Sequence, residues 1–129
     1  MSTSLWPNFA SLAPPRGIME MLYDAAGDIG QQTNGDIDFY VDPVGVGVSG
    51  AIKDIRYNCY LRVVKNSYTH LLFRVTTPVA GPFPATAATP EGERYPDLKD
   101  ETELRDAIRA ILQRPRTTEI VLHLLKTVH

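Results

Sequence analysis

The stretch IRYNCYLRVVKNSYTHLLFRV, residues 55–75, decides the fold. Strand side chains point alternately to opposite faces, so a period of two marks a strand with one buried side. Tyr57, Cys59, Leu61 and Val63 alternate along the first half, and Leu71, Phe73 and Val75 along the second. Polar residues separate the halves, which reads as an antiparallel hairpin. For both apolar sets to share a face, paired residue numbers must sum to an even value. A three-residue loop, Asn66-Ser67-Tyr68, achieves this with Val63 opposite Leu71 and Leu61 opposite Phe73. A two-residue Asn-Ser turn would set Val63 against His70 and split the core.

Upstream, Ile37, Phe39 and Val41 alternate with Asp36, Asp38, Tyr40 and Asp42, which predicts a further strand ended by Pro43. The run VGVGVSG (44–50) reads either as an irregular continuation of that strand or as a hairpin loop, and the loop is the reading adopted. Earlier still, Ile18, Met21, Leu22, Ala25, Ala26 and Ile29 fall on one face of an α-helix. Pro15 suits its first turn, and Gly30 or Asn34-Gly35 can end it. Residues 1–14 read as an extended arm carrying Trp6, Phe9 and Leu12, and residues 15–129 as a single domain.

Downstream, Phe83, Ala85 and Ala87 make a short edge strand at best, because Pro82 and Pro84 cannot donate to a ladder. EGERYPDLK (91–99) reads as a loop. Asp100 and Glu103 have the spacing of a capping box, and Leu104, Ala107, Ile108, Ile111 and Leu112 form the stripe of the helix that follows. Pro115 breaks that helix. Thr117 can then cap a last helix packed through Ile120, Val121, Leu124 and Leu125. The expected fold is α+β: an antiparallel sheet of three to five strands with an N-terminal helix and two C-terminal helices.

The chain has 129 residues, the size of one ordinary domain, and a formal charge of −2, which leaves no overall basic footprint for nucleic acid. Asp36, Asp38 and Asp42 would moreover repel phosphates. No apolar run is long enough for a signal peptide or a membrane span, so a cytoplasmic protein is expected. Cys59 is the one cysteine, which rules out an intramolecular disulfide and a cysteine zinc cluster. Calcium-loop and His-x-x-x-His spacings are missing, so neither metal nor cofactor is expected. The glycine-valine run lacks the GK[ST] ending of a phosphate loop. The alternation aims Cys59 inward and His70 outward, which separates the one candidate nucleophile from its nearest base. No catalytic constellation emerges.

The even-numbered side of the sheet carries the informative polar residues. Asp36, Asp38 and Tyr40 on one strand face Arg62 on the next, with Arg74 beyond. Cross-strand ion pairing on a solvated face accounts for them, and so does a recognition surface, where Arg and Tyr are enriched.

PRGIMEMLYDAAGDIGQQT (15–33), the Tyr68/Leu72/Phe73 strand, Phe83-Pro84, and Thr117 with Ile120 in RTTEIVLHLL together resemble a group of small uncharacterised bacterial proteins. Their order is a helix, an antiparallel meander and two C-terminal helices. By analogy the resemblance implies an immunity or adaptor role, without catalytic residues. The expected function is a non-enzymatic domain that binds a protein, such as a bacterial toxin, through Asp36, Asp38, Tyr40, Arg62 and Arg74 or through Trp6 and Phe9. A homodimer through that aromatic arm is a related expectation. The alternative is a small-ligand or enzymatic site near His70, Arg62 and Arg74.

Overall fold

Period-two alternation produces a five-stranded antiparallel meander in the order β1-β2-β3-β4-β5, seen in a computed structural model that describes residues 5–8 and 16–128. The strands are β1 (Ile37–Val48), β2 (Ala51–Val63), β3 (Thr69–Pro78), β4 (Ala85–Ala88) and β5 (Arg94–Leu98). Around them lie α1 (Ile18–Ala26), a single turn α2 (Ile29–Gln32), α3 (Glu101–Gln113) and α4 (Pro115–Lys126). The chain is therefore α+β, with an N-terminal helix and two C-terminal helices. Phe9 and most of the arm lie outside the described residues.

The helices cover one face of the sheet. Ile37, Phe39, Val41, Cys59, Leu61, Val63, Phe73 and Val75 meet Leu22, Leu104, Ile108 and Leu124 in one buried cluster. Helix α1 packs on β1 and α3, and α3 packs on α4, β4 and β5. Asp100 caps α3 by accepting from the Glu103 N–H at 2.9 Å, as its spacing predicts. Asn34 and Gly35 adopt left-handed φ of 52° and 82°, which turns the chain from α2 into β1.

Several expectations need correction. The glycine-valine run is no loop. It is the far half of β1, closed by a two-residue turn, Ser49-Gly50, with φ of 58° and 81°. That pair of positive φ values suits the right-handed twist of a hairpin. The alternating glycines make room: a Cβ on Gly47 would fall 1.7 Å from the Ala51 carbonyl oxygen. The segment 91–99 is not simply a loop either, because Arg94–Leu98 forms the outermost strand. Consequently β4 is not an edge strand; it pairs with both β3 and β5, and its two prolines lie just before it. Pro115 opens α4 rather than preceding its cap, so Thr117 sits inside the first turn. There it donates to the Ile111 carbonyl at 2.6 Å and accepts from Arg114 Nε at 2.9 Å.

The central hairpin departs most from its expected register. Its connection runs through Val64–Tyr68, closed by Val63 N–H donating to the Tyr68 carbonyl at 2.8 Å. Near this end Leu61 faces His70 and Tyr60 faces Leu71, an odd-sum register. A bulge at Leu72 restores even sums, with Cys59 opposite Phe73 and Asn58 opposite Arg74. Both Leu72 and Phe73 are fully buried, while Leu71 turns outward. Three consecutive apolar residues allow this, since alternation cannot choose among Leu71, Leu72 and Phe73.

Candidate functional site

With every helix on one side, the opposite face of the sheet carries none among the described residues. The alternation places Asp38, Tyr40 and Asp42 of β1 there, beside Arg62, Tyr60 and Asn58 of β2. None of the six is fully buried. Arg62 and Asp38 are direct cross-strand partners and form a bidentate pair, Nε–Oδ1 3.1 Å and Nη2–Oδ2 2.7 Å. The hydrogen bond and charge of Asp38 hold the Arg62 guanidinium more firmly protonated than usual. Tyr40 and Tyr60, also direct partners, stack with centroids 5.5 Å apart, and the Arg62 guanidinium lies 5.6 Å from the Tyr40 ring. A planar guanidinium clamped by a carboxylate and lying against an aromatic ring is restrained in orientation. At the centre of the face Asn58 carries a covered side-chain oxygen that accepts no hydrogen bond from the described residues.

The residues expected to act together are split by the structure. Asp38, Tyr40 and Arg62 form the patch just described. Asp36 precedes β1 on its outer side, half-buried. Arg74 is also on the outer face, one strand further across, opposite Asn58. It lines instead a shallow depression with Arg56 and Arg94. Trp6 is 76% exposed, whereas Phe9 lies outside the described residues. His70 does not join Arg62 and Arg74. The odd-sum register pairs it with Leu61 on the helix side of the sheet, so its side chain and those of Arg62 and Arg74 lie on opposite faces. Desolvation lowers the His70 pKa, and the nearby Arg116 charge adds to the effect. Cys59 thus shares the His70 side, contrary to expectation, but it is fully buried and its thiol approaches the Tyr57 carbonyl at 3.6 Å. Burial pushes that thiol far up, away from the reactive thiolate form.

Two features went unread in the sequence. Arg114, whose side chain is 9% exposed, binds Glu91 at 2.6 Å and Glu93 at 3.3 Å, tying the β4–β5 turn to the α3–α4 junction. A cleft of about 510 Å³ opens on the helix side between α1–α2 and α3–α4, floored by Phe39, Leu61 and Leu72. No sequence signal marks either, because both arise where distant elements meet. Among the described residues no group of three or more His, Cys, Asp or Glu side chains is placed to hold a metal ion. No described helix is long and apolar enough to cross a membrane. No family model, curated protein or solved structure matches the chain.

Proposed function

We propose that this chain is a non-enzymatic protein-binding domain that engages its partner through the helix-free face of its sheet. The single observation carrying this reading is the pre-organised Tyr40–Tyr60–Arg62 patch, held by Asp38 on paired strands. Tyrosine and arginine dominate the energetics of protein interfaces, and side chains already restrained lose little entropy on binding. An immunity protein that neutralises a bacterial toxin is the specific form we favour. Such a role needs a pre-arranged polar and aromatic surface, and the Asp38–Arg62 pair beside stacked Tyr40 and Tyr60 supports that reading.

The test is capture from lysate with immobilised protein, followed by mass spectrometry and a rebinding assay with the purified candidate. One stoichiometric partner is expected, retained by the parent chain and lost by Tyr40→Ala/Tyr60→Ala with unchanged circular dichroism. A partner that binds the double variant equally well would move recognition off this face.

A further inference from the structure

Nine arginines occur in the chain, and five of them are ion-paired: Arg16, Arg62, Arg109, Arg114 and Arg116. Among the described residues the other four make no ion pair, and three of those four, Arg56, Arg74 and Arg94, line one depression. It lies on the helix-free face at the β2–β5 side, next to the tyrosine patch but sharing none of its residues, and has a volume of about 410 Å³. The register explains the convergence. Arg74 is opposite Ala88, and Ala88 is opposite Arg94, so the small alanine separates the two guanidinium-bearing chains. Their Cα atoms are then about 10 Å apart, two strand spacings. Arg56 is opposite Thr76 and therefore diagonal to Arg74, at about 7–8 Å. Thr76 and Thr86 add hydroxyls to the same wall, and Pro84 closes one side.

Fifteen acidic side chains were available to neutralise thirteen basic ones, yet only one carboxylate, Asp54, reaches this depression. Asp54 makes no ion pair among the described residues. Three like charges held against a single carboxylate repel one another, and an anion between them relieves that repulsion. Guanidinium forks match the paired oxygens of phosphate and carboxylate groups.

We infer that this depression is a binding site for a small, multiply charged oxyanion, bearing phosphate or several carboxylates, gripped by Arg56, Arg74 and Arg94. The site is separate from the tyrosine patch and does not depend on the protein-binding reading. A phosphate ligand and a polycarboxylate ligand share this recognition chemistry, and the probes below tell them apart.

Calorimetric titration of the full chain with sodium pyrophosphate, and separately with citrate, tests the inference. Saturable one-to-one binding to at least one probe is expected, weakening as salt rises. Pyrophosphate binding tighter than citrate assigns a phosphate ligand, and the reverse order assigns a polycarboxylate. Arg56→Gln, Arg74→Gln and Arg94→Gln should each weaken binding about tenfold or more, since each removes charge-assisted hydrogen bonds. Arg105→Gln removes the remaining unpaired arginine, which lies outside the depression, and should leave affinity unchanged. Arg74 and Arg94 are exposed, so their variants keep the test valid even where Arg56→Gln fails to fold. Lack of saturable binding to both probes, or an equal loss in Arg105→Gln, overturns the proposal. Tyr40→Ala/Tyr60→Ala should bind the probes normally, so failure of the partner reading and failure of this one remain distinguishable.

Discussion

Replacing Leu72 by Ala, beside Leu71→Ala, probes the bulge that sorts side chains between the two faces. Leu72 is fully buried, so its truncation belongs to the range of about 2–5 kcal/mol seen for buried leucines. It also floors the helix-side cleft, so the space vacated joins an existing opening rather than forming a sealed void. A value near the middle, about 3 kcal/mol, follows, because cost tracks how well a site relaxes. Leu71 is only half-buried on the outer face, and its truncation should cost about 1 kcal/mol or less. Urea denaturation followed by circular dichroism reads the difference. With a slope of roughly 2 kcal/mol per M, Leu72→Ala should lower the midpoint by about 1.5 M and Leu71→Ala by under about 0.5 M. Equal losses, or a larger one for Leu71→Ala, would refute the bulge and return His70 to the face of Arg62 and Arg74.

His70 and Cys59 give two further expectations. The folded-state pKa of His70 lies below the ordinary 6.5, so the unfolded chain binds the extra proton first. Its contribution to stability is intact above that value and is lost as pH falls from 6.5 through the lowered pKa. Thermal melts of the parent chain and His70→Gln should diverge in that direction, with the variant losing less stability on acidification; identical pH profiles would contradict the placement. Cys59 should resist a thiol-reactive disulfide reagent at neutral pH until urea unfolds the chain, and rapid labelling of the native protein would show its pocket to be open.

Much of this fold is legible in the sequence because burial is one-sided. The helical stripe from Ile18 to Ala26 and the alternation through Ile37, Phe39 and Val41 each bury a single face and are legible, whereas Ile29, expected on the same helix, falls in the separate turn α2 beyond Gly27. Asp100 is legible for a local reason, since a cap needs only its own next turn. What escaped depends on tertiary context. The 44–48 half of β1 extends into solvent, with Val44 and Val48 exposed, so no burial pattern distinguishes it from a loop. Strand β5 holds one buried residue, Leu98, and exists through its pairing with β4. The register of the central hairpin hung on a choice among three adjacent apolar residues, and parity arithmetic assumed no bulge. That one assumption misplaced His70. Asp38, Tyr40 and Arg62 were readable as neighbours because β1 and β2 keep unbroken register from Ile37 to Val46. The arginine depression was not, since it needs Arg94 on a strand the sequence hides.

Hydroxyl-radical footprinting of the chain alone and with its captured partner tests the central claim most directly. Tyr40 and Tyr60 react readily when open to solvent, and the account predicts that both become protected in the complex while Tyr68, exposed on the β2–β3 connection, keeps its reactivity. Unchanged labelling of Tyr40 and Tyr60, with protection appearing on the outer side of α4 around Leu122, would contradict recognition through the helix-free face.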